Sequence, residues 1–314
     1  MIPFDSRRRV LVRTTPLAQG RAPSFRRTGL ALAASVLVIG GCSARLPPRP
    51  AGAATADPTA TEAFTNATRA CRGFKTLTAE LALSGRAGGE KLGGRVHAGL
   101  ESGGAVRLEG IAPFGPPVFI LAGRNERATL LLPRDRRVLK ETPVPEVLER
   151  LTGLALGADD LRLMVSGCLA DNAVPAEGRQ WPGGWQAVTL APGRVAYLRT
   201  RQGQTVVVAA DYGAWRIDYA EHAGGYPRLV RVRPSGDTST DVTARIGDLQ
   251  VNVAIDPRAF VLEIPSDADP MTLDELRSVA PLAPKPQARL RSPIDPRASA
   301  RSRRSGLWPR RRTP

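Results

Sequence analysis

From Thr76 to Leu108 apolar side chains recur at every second position: Leu77, Ala79, Leu81 and Leu83, then Val96, Ala98 and Leu100, then Val106 and Leu108. Alternation of this period turns one face of an extended chain toward a core and the other toward water, so it predicts three antiparallel strands. The next segments break the alternation. Val118 to Leu121, with Ile120, is apolar on both faces, and Ala128 to Leu132, with Leu130 and Leu132, is nearly so. Such strands are covered on both sides or line something apolar. The connection before them contains Pro113, Phe114, Gly115 and Pro116. An aromatic at a tip that ordinarily faces water is either tucked under the fold or presented to an apolar partner.

Helical spacing appears in three places. Asp57 and Pro58 open a predicted helix to about Arg72, with Ala60, Ala63, Phe64, Ala67 and Cys71 on one stripe. Val144, Val147, Leu148 and Leu151 mark a second, with Gly153 as its stop. Leu161, Met164, Val165 and Cys168 mark a third, which starts at Asp159 and Asp160, where acidic groups suit the helix dipole, and ends near Gly167. After a loop over 170–183, strands are predicted at 185–190, 194–201, 205–210, 214–221 (with Trp215 and Ile217), 227–233, 241–255 with a break at Gly247-Asp248, and 260–264. The pattern predicts about eleven to thirteen strands with helices inserted midway: a strongly curved antiparallel sheet whose concave, apolar side the helices cover.

Those residues are the candidates for an apolar cavity fit for acyl chains: Leu81, Leu83, Val106, Leu108, Val118 and Ile120 with Leu130 and Leu132; Val147, Leu148, Leu151, Leu161 and Met164 from the helices; Trp215 and Ile217 from the second half. The same residues would equally make a filled core.

The net charge of +16 suggests nucleic acid or an acidic membrane until the charge is located. Residues 1–41 carry +6 and residues 285–314 carry +9, which leaves +1 on residues 42–284. A nearly neutral body has no general grip on phosphate backbones, so no nucleic-acid partner is expected. The front end reads as an export signal: seven Arg, then the apolar run Gly29 to Ile39, too short to span a bilayer. Ile39-Gly40-Gly41-Cys42 resembles the bacterial lipobox, which makes residues 1–41 a signal peptide and Cys42 the acylated anchor, carrying palmitate-type chains. Ser43 after the Cys resembles the pattern sorted to the outer membrane. Residues 42–57 read as a Pro- and Ala-rich tether of roughly 45 Å reach, residues 58–280 as one domain, and residues 281–314 as a basic, disordered tail. Trp308 and Arg310 to Arg312 in that tail would suit contact with anionic lipid.

In an oxidising compartment Cys71 and Cys168, each on a helical stripe, make either a disulfide between two helices or two buried thiols. Catalytic constellations are thin. His97 and His222 read as surface residues without metal-ligand spacing. Gly88 to Gly94 lacks the Walker pattern and reads as a hairpin turn, and Asp159-Asp160 is a helix start before it is a catalytic pair. No metal, cofactor or enzymatic activity is expected.

Leu151-Thr152-Gly153 through Leu161-Arg162 to Gly167 resembles the helical segment of the outer-membrane lipoprotein receptor family LolB. Val106 to Gly115 is similar to that family's strand ending in a Pro-Leu-Gly loop, and Leu83-Ser84-Gly85-Arg86 to its early strand, while Met164 stands where the family usually has Trp. The resemblance implies an incomplete antiparallel β-barrel of about 11 strands with helices in its mouth, shared with the periplasmic carrier LolA. It further implies a monomeric, outer-membrane protein facing the periplasm that takes acylated lipoproteins from a LolA-like carrier, with Phe114 as a probe dipping into lipid. An envelope lipid- or glycolipid-binding lipoprotein of the same fold, or a structural lipoprotein, are the alternatives.

Overall fold

The computed structural model describes residues 48–169, 175–236, 238–279 and 281–283. The signal segment, the anchor Cys42 and the basic tail from residue 284 lie outside the described residues. A two-residue strand β1 (Thr55–Ala56) leads into helix α1 (Thr59–Ala67), and then the chain enters a sheet at its middle. Strands β2 (Thr76–Ala87), β3 (Glu90–Glu101), β4 (Ala105–Ile111), β5 (Ile120–Arg124), β6 (Arg127–Leu132) and β7 (Arg137–Pro143) follow as an antiparallel meander running outward. Helices α2 (Val144–Thr152) and α3 (Ala158–Ser166) then carry the chain to the opposite edge.

There β8 (Gly178–Trp181), β9 (Trp185–Ala191), β10 (Arg194–Arg201), β11 (Gln204–Tyr212), β12 (Trp215–Ala220), β13 (Leu229–Pro234) and β14 (Asp241–Val251) form a second meander that returns to the middle. The two meanders meet at a seam where β14 pairs with β2, Ala244 opposite Leu83 and Ile246 opposite Leu81. A short β15 (Asp269–Pro270) joins β7 in parallel, and helix α4 (Leu273–Val279) follows. The result is one sheet with β1 at one edge and β15 at the other. The edges do not pair with each other, so the fold is an incomplete barrel, mainly β with few helices, as the resemblance implies, with 15 strands among the described residues where the pattern predicts eleven to thirteen.

Side-chain chemistry explains the helix ends. Asp57 Oδ1 accepts from the Thr59 amide and hydroxyl at 3.0 and 2.6 Å, an N-terminal cap of the usual kind. Gly153 and Gly167 end α2 and α3 at φ 75° and 73°, a left-handed geometry that glycine adopts without a Cβ penalty. The two aspartates at the start of α3 divide the sheet between them. Asp159 Oδ2 accepts from the amides of Gly103 and Gly104 in the first meander, both at 3.1 Å. Asp160 Oδ1 accepts from Tyr212 Oη in the second at 2.7 Å, and burial together with that bond pushes the Tyr212 hydroxyl pKa up.

Several elements differ from the sequence reading. Residues 260–264 are not a strand: a 3-10 turn over Pro257–Phe260 buries Phe260 and leaves Val261 64% exposed. β7, β8 and α4 occur where no element is predicted. The loop 170–183 contains β8, and the tail predicted from residue 281 begins with a buried Leu282. The tether is not free along its length. Arg49 donates to the carbonyls of Ala210 and Ile217 at 2.6 and 3.2 Å, pairs with Asp211 and lies 5.0 Å from the Tyr197 ring centroid. With β1 paired to β8, residues 49–56 follow the sheet and add little to the reach of an anchor. His222 is partly buried and not a surface residue, with Nε2 2.8 Å from the Val207 carbonyl.

Cys71, in the 3-10 turn after α1, is bonded to Cys168 just beyond α3, with Cα atoms 5.4 Å apart across 97 residues of chain. A loop of that length predicts that Cys71→Ser with Cys168→Ser lowers unfolding stability by about 3 to 5 kcal/mol, read from urea denaturation. Burial holds the His222 pKa below its ordinary 6.5. The unfolded chain then takes up the proton more readily than the folded one. Stability therefore falls as the pH drops below 6.5 toward the folded value, and His222→Gln flattens that part of a stability-against-pH curve.

Candidate functional site

Helices α2 and α3 lie against the inner face of the first meander, α2 near β2, β6 and β7 and α3 near β3 and β4. Their placement is fixed by Glu126 at the tip of the β5–β6 hairpin. Arg124 pairs with Arg127, so the loop is Asn125-Glu126, with φ of 53° and 58°, the two-residue hairpin geometry with both central residues left-handed. The Glu126 carbonyl accepts from the first amide of α2, Val144, at 2.9 Å. Its carboxylate accepts from the Ala158 and Asp159 amides at 2.7 and 3.0 Å, where a helix presents unpaired donors and positive potential. Deeper in α3, Arg162 is fully buried, donating to Asp159 Oδ1 at 3.0 Å and to the Phe74 carbonyl at 3.2 Å, 4.8 Å from the Phe74 ring centroid.

Between this helical layer and the sheet is an apolar cavity of about 70 Å³. Its floor spans the seam: Val230 and Val232 of β13, Val242 and Ala244 of β14, Leu81 and Leu83 of β2, with Val96 and Leu108 beyond. Its roof is Leu148 and Leu151 of α2, Leu154 and Leu156 of the interhelix link, and Leu161, Met164 and Val165 of α3. Leu282 closes one side. The volume is about half of the roughly 150 Å³ that takes a benzene-sized guest in a protein core. An acyl chain therefore needs the helical layer or the Leu282 segment to move.

Of the cavity candidates, Leu81, Leu83, Leu108, Leu148, Leu151, Leu161 and Met164 line this space. Val106, Leu130, Leu132, Val147 and Ile217 do not: they are fully buried in close-packed core. Val118 and Trp215 are partly buried against that core, and Ile120 is half-buried in β5. The difference has a simple cause, since an inward-facing strand position either meets another side chain or meets a void, and the apolar void lies over the seam. The β13 and β14 wall is absent from the candidates because a pairing between residues about 160 apart has no local signal in the chain.

Pro113, Phe114, Gly115 and Pro116 are all exposed, Phe114 at 88%. The loop is braced from the β6–β7 turn: Arg134 donates to the Phe114 carbonyl at 2.5 Å and to the Pro116 carbonyl at 3.1 Å. Among the described residues no group of three His, Cys, Asp or Glu is placed to hold a metal, and no helix is long and apolar enough to cross a membrane.

Fold and site together define a class: an open half-barrel with an apolar interior beneath a helical layer. No family model and no curated protein matches the chain. Among solved structures it is similar to a LolA superfamily protein from Nitrosomonas europaea, at 10% identity and TM-score 0.44 over 65% of this chain and 97% of that one. It is also similar to the lipoprotein LppX from Mycobacterium tuberculosis, at 9% identity and TM-score 0.29 over 64% of this chain and 100% of the other. A third is LprF from Mycobacterium bovis, at 11% identity and TM-score 0.28 over 68% and 99%. Likenesses of this size carry no argument about ligand or partner, and the half-barrel stands on its strand order.

Glu126→Ala keeps the left-handed turn but leaves two helix amides without their acceptor. It is expected to cost about 1 to 2 kcal/mol in urea denaturation and to speed amide exchange in the first turn of α3. Glu126→Gln, which retains an acceptor oxygen, is expected to fall between the two.

Proposed function

We propose that this protein is a membrane-anchored acceptor of acylated lipoproteins: it binds their acyl chains between the helices and the seam, and releases them into the outer membrane. The observation that carries the reading is the cavity over the seam, lined by apolar side chains with Thr152 as its one polar residue, between the sheet and the helices that roof it. An acyl chain in water is unfavourable by roughly 0.8 kcal/mol per methylene, so a covered apolar site at each step lets cargo pass by exchange, without nucleotide. Acylation of Cys42 would hold the domain on the membrane, facing the periplasm, and a LolA-like periplasmic carrier would be the donor, as the sequence resemblance implies. Phe114 would enter the bilayer: it is exposed and held outward by the Arg134 brace.

The test mixes a soluble Cys42→Ala chain lacking residues 1–41 with a LolA-type carrier loaded with one acylated lipoprotein, and follows which protein holds the cargo. Movement to this chain is expected. Failure to move, with both proteins folded, would exchange the reading for an envelope protein that binds a free lipid or glycolipid. In the anchored protein Phe114→Glu should leave cargo capture intact and weaken delivery to vesicles by roughly 30-fold, the equivalent of about 2 kcal/mol for one buried aromatic. Unchanged delivery would remove the loop from the mechanism.

A further inference from the structure

Leu282 is 5% exposed although it lies beyond the last helix, α4. Its carbonyl accepts from the Gly93 amide of β3 at 2.9 Å. Its Cδ2 stands 3.3 Å from where a side chain on Gly94 would begin, so a larger residue at 94 would press on it. On its inner side Leu282 lines the apolar cavity. On its outer side it lines an open groove of about 520 Å³ bordered by Lys91, Glu149, Arg150, Arg277 and Thr240. Leu151 is the other residue common to both spaces that points to the same boundary. Cavity and groove thus lie on either side of a wall shared by Leu151 of α2 and by Leu282, which belongs to neither the sheet nor the helical roof.

Among the described residues the segment 281–283 is given one main-chain hydrogen bond to the sheet, the one from Gly93. It follows a seven-residue helix whose fully buried side chain is Leu276. A three-residue strap outside the strand ladders opens at less cost than a sheet strand, because local openings scale with the contacts they break. The exchange is also chemically even, since the methylenes of an acyl chain replace the leucine's apolar contacts.

We infer that Leu282 is a stopper in cis: acyl chains enter and leave the cavity at this end, after residues 281–283 lift from Gly93. The inference rests on the acyl-binding reading above. While the stopper is in place only the open fraction of molecules is competent, so the apparent affinity is lowered by that fraction.

The test uses the Cys42→Ala mature chain with its full C-terminal tail and cis-parinaric acid, a fatty acid that fluoresces in apolar surroundings. Leu282→Ala should bind the probe at least about tenfold more tightly and faster than the parent, because it removes the closed-state penalty. Parent and variant binding with equal rate and affinity would overturn the stopper while leaving the acyl site in place. Binding by neither would overturn the acyl site and the stopper with it. A second measurement needs no variant: in the parent protein, probe should speed amide exchange at Gly93 while leaving Gly99 on the same strand protected. Unchanged exchange at Gly93 in probe-saturated protein would also overturn the inference.

Discussion

Glu126 occupies a backbone geometry that costs a non-glycine residue about 1 kcal/mol or more, and all its oxygens are engaged by helix amides. Its carbonyl starts α2 and its carboxylate starts α3, so the tip of one hairpin sets the height and angle of the roof over the sheet. Asp159 and Asp160 extend the same logic, one reaching the β3–β4 turn and the other Tyr212 of the second meander. At its far end α3 is joined through Cys168 to the turn after α1. The helix that forms half the roof is therefore clipped at both ends to parts of the chain that are distant in sequence. Without these clips two nine-residue helices would have little reason to persist, since helices of that length are marginal on their own.

The packing beneath the roof is uneven in a way that matters for binding. Positions such as Val106, Leu130 and Ile217 face inward and meet neighbours at full density. Over the seam the two meanders and the two helices approach from different directions, and their side chains do not quite close the space. The void is small because Leu154, Leu156 and Leu282 reach into it from connections outside the regular elements. For the acyl guest proposed above, such a site would have to expand and would differ from a standing pocket. Its capacity is set by which connections yield, and its selectivity by how much apolar surface a guest offers in return.

Much of the architecture was legible because its signals are local. Alternation marked β2 to β4 and most of the second meander, helical spacing marked α1 to α3, and Gly153 and Gly167 marked two helix ends. Cys71 and Cys168 were visible as two half-buried stripes, though only the folded chain brings them together. A charged strand carries no such signal: Arg137 to Pro143 carries Arg, Lys and Glu next to the edge of the sheet, where β15 covers only Arg137 and Val138 and polar side chains are normal. The α4 start is written in the sequence as well. Thr272 and Glu275 form a reciprocal capping box, with the Thr272 amide donating to Glu275 Oε2 at 2.7 Å and the Glu275 amide to Thr272 Oγ1 at 3.3 Å, in the spacing that defines the motif. The cavity's floor was not legible in principle, because it depends on β14 finding β2.

That seam also orders the assembly of the chain. Every pairing from β2 to β7 joins neighbours in sequence, and so does every pairing from β8 to β14, whereas the seam joins Leu81 to Ile246. Bringing such distant segments together carries the largest loop-closure entropy of the strand pairings among the described residues. The first meander emerges from synthesis before its partner exists, with the inner face of β2 to β4 bare and one side of β2 unpaired. An edge of that kind invites pairing with other chains, so the half-finished protein is at its most vulnerable to aggregation in the interval before β14 arrives.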